Sequence, residues 1–233
     1  MWKLFSGKAY LTIIALFLGN TAKFQAATIY DNSVNDLLTR FNPGTKEVGD
    51  EILLGSTERF LTDFSFEFYG TNTANPGAFS GSVKAEVRLY LNNGTLFNGY
   101  ATPGTKLYDS GLFSIPGPID RGTIHFTEGL AFPVGGLFLG PGPGGSLLSN
   151  LTWSVQFSGM GPTDEVGLDI YSAPVVGGNY PDFWENNGGW LLQTNLVPMN
   201  FAAKLEAVPE PSPLALCVLA AIGFLLMARS LKA

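Results

Sequence analysis

Apolar and polar side chains alternate through most of the middle of the chain. Phe60, Thr62, Phe64, Phe66 and Phe68 share one parity, while Asp63, Ser65 and Glu67 share the other. Val83, Ala85, Val87, Leu89 and Leu91 alternate with Lys84, Glu86, Arg88 and Tyr90. The same period of two runs through Leu151, Trp153, Val155 and Phe157, and again through Met199, Phe201, Ala203 and Leu205. Successive side chains of a strand point to opposite faces, so these runs predict half-buried antiparallel strands with their apolar sides inward. Shorter candidates are 28–30, 51–54, 105–109, 122–127, 166–171 and 190–193. Asn92-Asn93-Gly94 predicts a tight turn, and Leu130 to Leu148, rich in Gly and Pro, reads as a long loop between strands. Roughly nine or ten short strands without a long amphipathic helix predict an all-β domain, a two-sheet antiparallel β-sandwich of jelly-roll type.

Two apolar stretches interrupt this pattern, one near each end. Lys3 and Lys8 flank the start of an apolar run from Ala9 to Leu18, and small residues follow at Ala22, Ala26 and Ala27. That order is the order of a secretory signal peptide, residues 1–27, although Gln25 is a poor residue at the minus-three position. At the other end, residues 208–233 hold Pro209-Glu210-Pro211, an apolar run from Leu214 to Ala228, and basic residues at Arg229 and Lys232. Pro209, Pro211 and Pro213 fix φ and lack backbone donors, so they make a stiff, extended stalk. The run of about fifteen residues covers roughly 22 Å as a helix. A bilayer core is roughly 30 Å thick, so the span needs local thinning or snorkelling ends. Arg229 and Lys232 stay on the cytoplasmic side, which leaves residues 28–207 outside the cytoplasm.

Triplet, short span and basic terminus, in this order at residues 208–233, resemble the PEP-CTERM sorting signal of Gram-negative bacteria, also labelled the ice-binding protein C-terminal domain. The resemblance implies export through the Sec translocon, anchorage in the inner membrane, and processing by an exosortase with delivery to the cell surface or medium. Its sorting motif is Pro209, Glu210 and Pro211, and its membrane-stop residues are Arg229 and Lys232. It also implies a link to exopolysaccharide and biofilm.

Charge narrows the partners of the domain. Residues 28–207 carry eight Lys or Arg against eighteen Asp or Glu, a net charge of −10. Such a surface repels nucleic acid and anionic lipid. Cys217, the single cysteine, lies in the apolar tail, so a disulfide within the domain is excluded and the core must stabilise it alone. The absence of a thiol also excludes a cysteine nucleophile. By the parity of Ile124 and Phe126, His125 points away from the core, where a lone histidine lacks the oriented partner that acid–base work needs. Gly140 to Gly145 satisfies G-x-G-x-x-G formally, but two prolines interrupt it and no helix follows to hold a pyrophosphate.

Three candidate sites remain. The segment 177–190 packs Tyr180, Asp182, Phe183, Trp184, Glu185 and Trp190 among asparagines and glycines. Ring faces beside carboxylates and amides suit a sugar, and the same aromatics equally well fold the loop back on itself as a small core. Asp164, Glu165 and Asp169 offer hard oxygens to calcium, which takes about six to eight, though without EF-hand spacing. Asp182 with Glu185, or Asp164 with Glu165, could serve glycoside hydrolysis if the fold set a pair across a cleft. Solvated surface charge is the plainer reading of these acids. The expectation is a non-enzymatic exported surface or matrix protein, with a lectin-like module and a secreted glycoside hydrolase or lyase as alternatives.

Overall fold

The computed structural model describes residues 25–141, 145–194 and 198–209. Most of the predicted signal peptide, and Glu210, Pro211, Arg229 and Lys232 of the predicted sorting tail, lie outside these residues. The strands begin with β1 (Ala27–Asp31), β2 (Asp36–Phe41), β3 (Glu47–Leu53), β4 (Phe60–Asn72), β5 (Lys84–Tyr90), β6 (Leu96–Phe97), β7 (Tyr100–Ala101) and β8 (Lys106–Asp109). They continue with β9 (Phe113–Ser114), β10 (Ile119–Thr127), β11 (Leu137–Phe138), β12 (Asn150–Ser158), β13 (Asp164–Tyr171), β14 (Gly178–Asn179), β15 (Phe183–Asn186), β16 (Trp190–Gln193) and β17 (Ala203–Val208). No α-helix occurs among the described residues.

Two antiparallel sheets pack as the expected sandwich. The seven-stranded sheet runs β1-β17-β4-β13-β2, with β10 and β11 also on β4. The eight-stranded sheet runs β16-β15-β3-β12-β5-β8, with β14 on β3 and β9 on β5. The chain crosses repeatedly between them, as jelly rolls do. β4 is the longest strand, and both its edges are filled. β17 pairs with Phe60 to Phe66 on one edge, and β13 takes over from Phe68 to Asn72. β10 and β11 line the opposite edge. β1 begins at Ala27, opposite Ala207 of β17, so the two ends of the folded unit leave it side by side.

The alternating positions meet in the middle. Trp153 of β12 is fully buried, with ring centroids 5.5 Å from Phe64, 5.9 Å from Phe66 and 6.1 Å from Phe201. Phe126 of β10 lies 5.7 Å from Phe64, and Phe183 of β15 lies 5.7 Å from Phe201. Large aromatic side chains supply this core's hydrophobic area in place of disulfides.

Some sequence expectations change. The parity of β4 breaks opposite Glu206 and Ala207, where a bulge shifts the register. Leu61 therefore turns inward and is buried, while Phe60 and Thr62 are only half-buried and the Phe60 ring stacks 5.0 Å from Phe138. The tight turn falls at Asn98-Gly99, both with positive φ (51° and 88°), and not at Asn92-Asn93-Gly94. Asn-Gly is the pair that a two-residue hairpin between β6 and β7 requires. The stretch 130–148 contains β11 and lends Phe132, Leu139 and Leu148 to the core. Arg59, also buried, holds that stretch by donating from Nε to the Leu148 carbonyl at 2.7 Å.

Asp50 of β3 breaks the pattern more sharply, because it points into the core and is fully buried. Its Oδ2 accepts the Phe201 N–H at 3.2 Å, while Oδ1 has no partner. Burial raises its pKa well above the usual carboxylate range; the Phe201 N–H opposes this, and Asp182 and Glu51 add to it. A folded-state value above the unfolded one means that the folded state binds the extra proton, so stability falls as pH rises through that interval.

Two outcomes follow from this core. Trp153→Ala is expected to cost about 3–5 kcal/mol, measured by urea unfolding, and a loss below about 1 kcal/mol would contradict the packing described. Asp50→Asn keeps an acceptor for Phe201 and removes the charge. It is expected to raise the melting temperature at pH 7 and flatten its pH dependence, whereas a lower melting temperature at pH 7 would refute the assignment.

Candidate functional site

The predicted segment 177–190 is not a loop. It supplies β14, β15 and β16, which extend the eight-stranded sheet at its edge. Phe183 enters the core, and Trp184, on the other face, is 1% exposed beneath the Phe97 ring at 6.5 Å. Trp184 thus has no ring face left for a sugar. Trp190 keeps partial exposure and meets Tyr90 edge-on at 5.6 Å. Glu185 pairs with Lys46 at 3.0 Å. Tyr180 is exposed, and near it burial raises the carboxyls of Asp182 and Glu51. Beside these strands the buried Glu47 accepts from Ser154 Oγ at 2.6 Å, Tyr90 OH at 3.1 Å and Asn186 Nδ2 at 3.1 Å, and it pairs with Arg88 at 3.2 Å. Every face of this carboxylate is occupied by the fold itself.

The three acids weighed for calcium do not converge. Asp164 caps a turn, accepting from the N–H groups of Ser80, Gly81 and Gly161 at 2.7–2.8 Å. Glu165 accepts from Tyr69 OH at 2.7 Å, and Asp169 lies four residues further along β13 beside Arg40. Among the described residues no group of three or more such side chains is placed to hold a metal ion.

A different surface brings chemistry together, and sequence reading had identified only parts of it. On the outer face of the seven-stranded sheet, β4 presents Ser65, Glu67 and Tyr69, and β13 presents Glu165, Asp169 and Tyr171. The Arg40 guanidinium of β2 stands 4.9 Å from the Tyr69 ring centre, and that of Arg121 in β10 stands 5.6 Å from the Tyr171 ring centre. Such cation–π pairs are worth about 0.5–1 kcal/mol each at exposed sites. Each tyrosine also donates its hydroxyl at 2.7 Å, Tyr69 to Glu165 and Tyr171 to Glu67. Arg121 binds Asp36 and lies 3.3 Å from Glu67. Gly167 permits the arrangement, since a Cβ there would come within 2.8 Å of the Tyr69 ring and 2.1 Å of the Phe41 carbonyl.

Beside this lattice the edge of β4 passes from β13 to β17. Ala202 bridges the fork, donating its N–H to the Asp169 carbonyl and accepting from the Glu67 N–H, both at 3.1 Å. Next to the fork lies a depression of about 500 Å³ lined by Asp36, Leu38, Arg40, Asp120, Arg121 and Asp169. The Asp169 side chain is 7% exposed, with Oδ1 3.6 Å from Arg40 Nε and Oδ2 without a hydrogen-bond partner. Burial pushes its pKa up to about 6, against the opposing pull of Arg40 and Arg121; Glu67 and Asp36 push the same way as burial. Leu38, 89% exposed at the rim, holds a positive φ of 55°, stabilised by its N–H donating to Asp36 Oδ1 at 2.7 Å. Strained, exposed apolar residues are uncommon and concentrate at binding sites.

Two further depressions continue the line. One is lined by Ser65, Glu67, Thr123, His125 and Lys204, the other by Thr71, Asn72, Pro118, Ile119 and Asp120. Ser65 to Thr71 spans roughly 20 Å of extended strand, so the three together mark a groove of about that length. His125 is 58% exposed here and lies 3.7 Å from Asp63, which agrees with the outward direction read from its parity.

The raised Asp169 carboxyl has a checkable consequence. Stability should decline as pH rises from the ordinary 3.8 toward about 6, because the folded state holds that proton more tightly. Arg40→Ala removes a charge that favours the carboxylate, so a carbon-13 NMR titration should find the Asp169 midpoint above that of the unsubstituted protein. An unchanged or lower midpoint would refute the role given to Arg40. No family model, curated protein or solved structure matches this chain.

Proposed function

We propose that this is an exported protein of the bacterial surface or extracellular matrix, and that its sandwich is a non-enzymatic module that holds exopolysaccharide. Delivery rests on the two ends of the sequence: a Sec signal peptide over 1–27 and an exosortase-processed tail over 208–233. Exit of both ends of the folded unit at one place, with Ala27 opposite Ala207, supports a domain that stands on a single stalk while anchored. The observation that carries the binding reading is the groove along β4. It is long, open and polar, and its floor is fixed by tyrosine–carboxylate and arginine–tyrosine contacts before any ligand arrives. Preorganised polar groups lower the cost of binding a hydroxyl-rich chain.

One observation favours glycoside hydrolysis instead, namely a carboxyl with a pKa of about 6 in a pocket shared with other acids. Against it, Asp36 and Glu67 are both tied to Arg121, and the remaining acid of the pocket, Asp120, has a side chain 96% exposed to solvent, where nothing orients it as a second partner.

Affinity electrophoresis through gels containing the producing cell's exopolysaccharide should retard the protein, and the polymer should gain no reducing ends. Unretarded migration would overturn the binding reading. Reducing ends that disappear with Asp169→Asn would establish the hydrolase. Intact-mass spectrometry of the surface or medium form should find a chain beginning at Thr28 and ending between Pro209 and Pro213. A product that keeps Met1 or Ala233 would contradict sorting.

A further inference from the structure

We infer that the apolar loops at the stalk end of the sandwich, carrying Leu130, Val134, Phe138 and Leu147, are a lipid-contact surface on which the domain rests while the chain is anchored. This inference rests on the anchored reading above and adds to it how the domain sits on the bilayer. Leu130 is 92% exposed, Val134 88%, Phe138 42% and Leu147 47%. The backbone beneath them is fixed. Arg59, buried just before β4, donates to the Leu148 carbonyl at 2.7 Å and to the Glu58 carbonyl at 2.6 Å, and its own carbonyl accepts the Leu139 N–H at 3.0 Å. The acids bordering these loops turn back on their own backbone: Glu128 accepts the Gly135 N–H at 2.6 Å, and Glu58 the Thr57 N–H at 3.0 Å. Exposed apolar clusters of this kind mark protein or membrane contact surfaces.

Connectivity and charge say what covers them. Phe138 pairs with Phe60, and Phe60 pairs on its other side with Val208, so the three stand in one row across the sheet. Val208 is the residue from which the chain leaves toward the apolar run that begins at Leu214. Six residue steps reach at most about 21 Å even when fully extended. The row is therefore leashed near the headgroup layer, which is roughly 5–7 Å deep on each side of the hydrocarbon. The far end of β4, at Asn72, lies roughly 40 Å away along the strand. No charged residue occurs in sequence between Glu128 and Asp164, in a domain whose net charge is −10. An acidic surface is repelled by anionic lipid, so the uncharged loops are the face that approaches a bilayer at least cost. A second copy of the chain would instead bring its own charge of −10 against this one. Apolar side chains set into the headgroup layer add attraction in proportion to the area they bury.

The test is lipid-borne quenching of a fluorophore on the full chain, carrying Cys217→Ser and reconstituted through its tail into phosphatidylcholine vesicles. An environment-sensitive label is attached through Val134→Cys or, as the control, through Asp120→Cys. Asp120 has a side chain 96% exposed and follows Ile119, which pairs with Gly70 near the far end of β4. The label at 134 is expected to lose its emission about twofold to nitroxide-bearing headgroups, while the label at 120, roughly 30 Å farther along the strand, keeps it. Leu130→Asp, at a side chain already in solvent, should restore most of the emission at 134 and leave the melting temperature unchanged. Equal quenching at both positions, or none at 134 in a chain that stays with the vesicles through an alkaline carbonate wash, overturns the inference and leaves the anchor standing. A blue-shifted emission at 134 that no lipid quencher reaches gives the surface to another protein and overturns it too. A chain that the wash strips from the vesicles removes the anchor and the inference together.

Discussion

Everything in this sandwich depends on Trp153 being wedged between the sheets against Phe64 and Phe66. Without a disulfide in the domain, burial of such large rings has to offset the chain entropy lost on folding. The constraint reaches the surface through β4. The strand that aims Phe64 and Phe66 inward aims Ser65, Glu67 and Tyr69 outward, because alternate residues of one pleat face opposite ways. With both edges of β4 filled, its outward side chains stand on a backbone that is hydrogen-bonded on both sides. The groove floor is therefore set by the same packing that makes the core.

Two carboxylates of similar burial make the division between structure and function visible. Glu47, on the outer face of the eight-stranded sheet, is surrounded by serine, tyrosine, asparagine and arginine donors. A carboxylate so satisfied rigidifies its surroundings and offers nothing to a ligand. Asp169, on the outer face of the other sheet, has one oxygen loosely opposite Arg40 and the other opposite nothing. Buried polar groups are nearly always paired in folded proteins, so this oxygen, like Asp50 Oδ1 in the core, is an exception.

The fold was legible because its strongest strands obey period two: β4, β5, β12 and β17 were all readable from their apolar parity. β2 was not, since Asp36-Leu-Leu-Thr-Arg-Phe41 puts two leucines in succession and exposes both. The first half of β3 was hidden for a different reason, as Glu47 and Asp50 are charged residues that the fold buries. The site was harder still. Arg40, Glu67, Tyr69, Arg121 and Tyr171 come from four strands, and only the sheet order makes them neighbours. The polar parity of β4 was on view from the beginning, but nothing local distinguishes a groove floor from a solvated face. The segment 177–190 drew notice through its dense aromatics, which the structure spends mainly on the sheet edge, with Phe183 in the core and Trp184 under Phe97.

The central claim is that the outer face of the seven-stranded sheet receives a glycan chain lengthwise along β4. Amide chemical-shift mapping of the labelled protein with oligosaccharides cut from the producing cell's exopolysaccharide tests it most directly. The account predicts perturbations that follow residues 65–71, 119–125 and 169–171 and spare 183–193. Perturbations confined to 180–193, or none at saturating oligosaccharide, would contradict it.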